Sequence, residues 1–175
     1  MNPSTKQSNI TKGDDTCVLS LDQEEEHSLK SITLRSQEKE LIAFDIKYVK
    51  HINVLWTAIQ AELNQPELEE PLDVNVPIAD LKLMLSYFEL LDKHNSTPSH
   101  IPKPAPFVNM YQNTSNIEAD FIEQCWTNQT QFFSLIRSCD FLDCACLHDL
   151  ALCKLKCIVK SYPLDMLHKV INLQK

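Results

Sequence analysis

The sequence predicts an α+β fold, in which a small three-stranded sheet packs with a helical bundle. Three observations carry this expectation. Residues 31–44 alternate apolar and polar side chains, the period of a half-buried strand, whereas residues 132–173 place apolar side chains three or four apart, the period of a helix. The chain also contains one glycine, Gly13, in 175 residues. Loops that cradle a phosphate or a dinucleotide need glycine where backbone meets ligand, so nucleotide-binding α/β folds are excluded.

Taken in order, residues 1–30 are rich in Ser, Thr, Asp, Glu and Lys and are expected to be a mobile tail, with Cys17-Val18-Leu19 as its one strand-like run. Ile32-Thr33-Leu34-Arg35 alternates, and so does 40–44 beyond Ser36-Gln37-Glu38-Lys39, which predicts a hairpin. Asp45 is placed to cap a short helix bearing Ile46, Tyr48 and Val49. Leu55, Ile59 and Leu63, four apart, continue a second helix until Pro66. The acidic stretch 64–71 reads as a loop and 72–76 as a third strand, after which Pro77 opens a long helix with Leu81, Met84, Leu85, Phe88 and Leu91 on its buried side. Pro98, Pro102, Pro104 and Pro106 make 95–117 an expected extended, disordered insertion.

A short helix is predicted over 118–124, followed by three consecutive amphipathic ones. The first carries Phe132, Phe133, Leu135 and Ile136 and runs out near Asp140. Asp143 suits the N-cap of the second, which holds Cys146, Leu147, Leu150, Cys153, Leu155, Cys157 and Ile158. Pro163 suits the first turn of the third, with Leu164, Leu167, Val170 and Ile171. Phe88, Phe132 and Phe133 are read chiefly as core and Phe141 as a candidate for exposure, while Trp56 and Trp126 fit core or contact equally.

Net charge is -8, which disfavours nucleic acid or an anionic membrane as partner. Residues 61–80 hold six carboxylates and no Lys or Arg, whereas 144–175 hold five lysines against Asp149 and Asp165. Two solvated faces account for this, or a basic end that steers an acidic protein partner. The opening residues lack the apolar stretch of a signal peptide, so the seven cysteines are expected to be reduced, the location cytoplasmic or nuclear, and the Asn-x-Ser/Thr matches at Asn9, Asn95, Asn113 and Asn128 fortuitous.

No catalytic set accompanies the helices. Cys139, Cys144, Cys146, His148, Cys153 and Cys157 are dense, but Cys144-Ala145-Cys146 is too tight for a zinc knuckle, and small buried thiols explain the spacing better. His148 is close to Cys144 in helical spacing, yet nothing orients it as a nucleophile's base. Glu69-Glu70 lies in a loop without an apolar pocket to raise a pKa. The expectation is no metal, no cofactor and no enzyme activity.

The order of motifs resembles a known family. Ile32-Thr33-Leu34-Arg35-Ser36, then Glu40-Leu41-Ile42-Ala43-Phe44-Asp45-Ile46 with Lys50 and Thr57, then Asn75-Val76 and the helix from Asp80 to Phe88, resemble the S-phase-kinase-associated cullin adaptors, which share a BTB/POZ fold with elongin C. Asp140-Phe141-Leu142-Asp143 stands where that family has Asn-Tyr-Leu-Asp, and Tyr162-Pro163-Leu164-Asp165 where it has a Thr-Pro-Glu-Glu-like helix start. The likeness covers about 31–92 and 118–173. Lys39 replaces the family's hairpin glycine, and the chain given ends at Lys175 where these adaptors continue into helices that clamp the F-box; elongin C also stops early and still recruits a receptor helix.

This resemblance implies a BTB/POZ-like domain over 31–175, with its proline-rich insertion at 95–117, acting as a non-enzymatic adaptor in a ubiquitin ligase complex. It would link a cullin-type scaffold to an F-box-type substrate receptor. Asp140 and Phe141 carry over as cullin contacts, and the receptor is expected on the last helices, at Leu147, Leu150, Lys154 and Ile158. The alternative is a divergent BTB-like structural subunit of another assembly.

Overall fold

In the computed structural model, which describes residues 30–62 and 70–171, β1 (Ser31–Arg35) pairs antiparallel with β2 (Leu41–Asp45), and β3 (Leu72–Asp73) joins the other side of β1 in parallel. Gly13, the Cys17-Val18-Leu19 run, Leu63 and the acidic stretch 64–69 lie outside the described residues. Ile32 and Leu34 alternate inward from β1 and meet Phe44 of β2 in the core, as the two-residue period requires. The third strand is shorter than the 72–76 expected, although beyond Asp73 the Val74 amide still bonds the Arg35 carbonyl and the Gln37 amide bonds the Val76 carbonyl.

At the hairpin turn, Lys39 sits at φ 67, in the left-handed region that costs a side-chain-bearing residue about 1–2 kcal/mol. The turn is held by the Ser36 amide on the Glu40 carbonyl and the Lys39 amide on the Ser36 carbonyl. It also caps a distant helix. Pro77 offers no side-chain cap to α3 (Ile78–Lys93), and the Glu38 carboxylate accepts the Ile78 amide at 2.8 Å instead. That bond holds the Glu38 carboxyl below its ordinary value.

Between the hairpin and α3 lie α1 (Ile46–Val49), capped by Asp45 through the Lys47 amide at 2.9 Å, and α2 (Asn53–Glu62). Leu55 and Ile59 bury the inner face of α2. In α3, Leu81, Met84, Phe88 and Leu91 are buried as the spacing predicts, and so are Tyr87 and Asp80, which apolar periodicity alone does not single out. After α3 the chain crosses to α4 (Asn116–Trp126), α5 (Gln129–Phe141), α6 (Ala145–Ser161) and α7 (Leu164–Val170).

The 95–117 insertion departs from the expectation of disorder. It lies against α6 as an ordered strap, burying Ile101, Ala105 and Met110, and includes a 3-10 turn at Met110–Gln112. Asn113 closes it locally by accepting from the Phe107 amide and donating to the Phe107 and Asn109 carbonyls. Proline removes backbone donors and stiffens the chain, so a proline-rich segment needs few hydrogen bonds to be held; three buried apolar side chains, the lysines of α6 and the Glu118 carboxylate hold this one.

Asp80 ties α3 to α5. Its fully buried carboxyl group accepts from Gln131 Nε2 at 3.1 Å, Ser134 Oγ at 2.7 Å and Ser138 Oγ at 2.6 Å. Asp80→Ala strands three donors between the helices and should cost about 3 kcal/mol in urea unfolding. Lys39→Gly relieves the left-handed backbone but adds unfolded-state freedom, so unfolding should show a net gain of about 0.5–1 kcal/mol.

Candidate functional site

The surface most suited to holding another protein lies around the joint between α5 and α6 and along the outer side of α6. α5 ends on Phe141, which is 58% exposed, beside exposed Asp140. Next, Leu142 turns inward to the core while Asp143 adopts φ 52. That left-handed turn changes the role expected for Asp143. Its carboxylate accepts from Asn53 Nδ2 at 2.8 Å, and the carbonyls of Leu142 and Asp143 accept the Val54 and Asn53 amides. Asp143 therefore serves the start of α2, and α6 begins at Ala145 behind Cys144, which supplies no side-chain cap.

The four residues expected to meet a receptor separate into two pairs. Leu147 and Leu150 are fully buried and fill the core between α5 and α6, so they cannot touch a partner laid on the surface. Their i, i+3 spacing marks the inner stripe of the helix. Lys154 and Ile158, also largely buried, nevertheless line an open groove of about 570 Å³ bounded by α4, the strap, α6 and α7. Trp126, Val108 and Tyr162 share that groove. Lys154 is neutralised there by Glu123 and lies 6.0 Å from the Trp126 ring centre, so its charge is committed to the fold.

Sequence reasoning missed the outward apolar side chains. Leu152 and Val159, seven residues apart on α6, are exposed, as are Tyr162, Leu164 and Met166 at the start of α7. The seven-residue spacing was legible, because it lies off the stripe of Leu147, Leu150, Lys154 and Ile158. Trp126 is half-buried and packs edge-on against Phe132 at 5.1 Å between ring centres, which joins α4 to α5.

The thiols of this region are chemically quiet. Cys139, Cys144, Cys153 and Cys157 are buried, and the sulfurs of Cys144 and Cys146 lie 4.0 Å apart. The neighbouring Cys139 thiol, with burial, pushes Cys144 up, and Cys144 together with burial does the same to Cys146. Burial raises Cys125 and Cys153 to about 11. A thiol that keeps its proton is a poor nucleophile and a poor metal ligand. Among the described residues no group of three or more His, Cys, Asp or Glu is arranged to hold a metal ion, and no helix is long and apolar enough to cross a membrane.

A second buried carboxylate sets the strap against α3 and α4. Glu118 accepts from Tyr87 Oη at 2.8 Å, the Ser99 amide at 3.0 Å, Thr114 Oγ1 at 2.7 Å and Ser115 Oγ at 2.8 Å. Burial acts to raise its pKa, but the hydrogen bonds from Ser99, Thr114 and Ser115 outweigh it and hold the carboxyl below its ordinary value. Its stabilisation is therefore complete above the unfolded value of about 4.3 and is lost as pH falls through the lower folded value. The melting temperature should fall as pH is lowered below about 4.3, and Glu118→Gln should flatten that part of the profile while lowering stability at pH 7. Differential scanning calorimetry across this range is the check.

No family model matches the chain. The S-phase kinase-associated protein 1 homolog of Tetrahymena thermophila is 27% identical to it over 143 residues, spanning 81% of each chain. A relationship of that extent fits a BTB/POZ-like arrangement of the sheet and helices described above. It supports the assignment of this chain to the S-phase kinase-associated protein 1-like family.

Proposed function

We propose that this chain is a non-enzymatic adaptor that links a cullin-type scaffold to an F-box-type substrate receptor in a ubiquitin ligase complex. The observation that carries the reading is the extent of the likeness to the S-phase kinase-associated protein 1 homolog, most of both chains. The surface chemistry supports it: exposed aliphatic and aromatic side chains on a helical frame suit protein contact.

In this proposal the cullin meets Asp140 and Phe141 at the end of α5. An exposed aromatic side chain next to a fixed helix joint loses little entropy on binding and makes a natural anchor. A receptor helix would enter the groove between α4, α6 and α7, touching Lys154 and Ile158 on its wall together with Tyr162; Leu147 and Leu150 are buried in α6 behind it. Together such contacts need to bury about 1,600 Å² in total for a stable complex of standard size.

Affinity purification with mass spectrometry tests the reading. Recovery of a cullin with F-box proteins is the expected result, whereas a fixed set of unrelated subunits points to a structural role in another assembly. Phe141→Ala should reduce cullin recovery by at least about tenfold, the effect of losing an interface anchor. Because the side chain is mostly in solvent, unfolding should shift by no more than about 0.5 kcal/mol. Undiminished recovery removes Phe141 from the contact.

A further inference from the structure

The strap-facing flank of α6 carries a second groove, distinct from the one proposed for the receptor. It has a volume of about 370 Å³, with Ile101, Pro104, Leu152 and Cys153 forming an apolar lining and Lys103 and Lys156 at the rim. Leu152 is exposed on its outer wall although it is an aliphatic residue in the middle of a long helix.

The charge around this groove runs against the balance of the chain. Lys156 donates to the Ala105 carbonyl at 2.6 Å, and Lys160 donates to the Ala105 and Pro106 carbonyls at 3.4 and 3.3 Å. Those oxygens are neutral, so they orient the two ammonium groups without cancelling their charge. The ion pairs of the described residues include neither lysine. One acid faces the rim, Asp149, and it is already paired with Lys103 at 2.7 Å. In a protein of net charge -8, two oriented, uncompensated cations beside an apolar slot are a local inversion of sign.

We propose that this groove binds an acidic peptide of a partner protein, with one leucine-sized side chain seated over Ile101, Leu152 and Cys153 and flanking carboxylates paired with Lys156 and Lys160. The apolar slot contributes affinity through area removed from water, and the lysines select the sign of the peptide and speed its approach. Asp149, which also lines the groove, is neutralised by Lys103 and so does not repel an acidic ligand. The site lies apart from Phe141 and from the groove containing Tyr162, so it stands or falls independently of the adaptor reading.

The test uses the full chain and a fluorescein-labelled probe, Glu-Glu-Leu-Glu-Glu, beside its charge-reversed counterpart Lys-Lys-Leu-Lys-Lys, with anisotropy as readout. The acidic probe should bind and the basic one should not, and 0.5 M NaCl should weaken binding by about fivefold or more. Leu152→Glu, at an exposed position that does not threaten the fold, should abolish binding, and Lys160→Glu should weaken it by about fivefold, the scale of one exposed ion pair. Leu152→Glu must leave the circular dichroism spectrum and the melting temperature unchanged, which separates loss of the groove from loss of the fold. The proposal fails if both probes bind alike, if Leu152→Glu binds like the parent chain, or if the acidic probe shows no binding up to millimolar concentration. It also fails if carbodiimide cross-linking joins Lys156 to the chain's own Glu24, Glu25 or Glu26, since the groove then has an internal occupant.

Discussion

The buried carboxyl group of Asp80 constrains the rest of the molecule. A carboxyl group removed from water is tolerated only where donors replace its solvent, and here all three come from successive turns of α5. Gln131, Ser134 and Ser138 are three and four residues apart, one face of a helix, so meeting Asp80 determines both the rotation and the axial position of α5 against α3. Once α5 is set, the position of its last residue, Phe141, follows. The joint beyond it is delivered to the start of α2, whose first two amides take the carbonyls of Asp143 and Leu142. A polar cluster between α3 and α5 thus positions an exposed aromatic side chain at the far end of α5.

Glu118 performs the corresponding task on the other side of α3. Its oxygens gather Tyr87 from α3, Ser99 and Thr114 from the strap and Ser115 from the N-cap of α4. This explains how a proline-rich crossing of more than twenty residues is held without a strand or a long helix of its own. The Glu118 carboxylate holds both ends of the strap, at Ser99 and at Thr114, the lysines of α6 hold its middle at Ala105 and Pro106, and its apolar side chains fill the gap between. Composition pointed to disorder because it counts prolines and polar residues. It does not register that Ile101, Ala105 and Met110 fall where a helix face is waiting.

Burial also explains the cysteines. Five of the six described thiols occupy the core, and most lie on α5 and α6 at positions where a larger aliphatic side chain would compete with Tyr87, Phe132 and the leucines for space. Free cysteine fills such positions as a compact hydrophobe. Its high density in 139–157 reflects helix packing, and burial in that packing pushes the Cys146, Cys153 and Cys157 thiols up. The reactive-looking residues of α5 and α6 are thus turned mostly inward.

What the sequence by itself determined was the element list. The hairpin, the Asp45 cap, the α3 stripe and the three closing helices were legible because each rests on local periodicity or on a side chain bonding its own backbone within a few residues. What only the tertiary structure decided were relations between distant segments: the Glu38 cap on α3, Asp143 given to α2 in place of α6, the strap laid on α6, and Leu147 and Leu150 turned into the core while Lys154 and Ile158 reach a groove wall. A helical stripe reveals which residues share a face. Which face meets solvent depends on the neighbours that cover the others, and those neighbours lie tens of residues away in the chain.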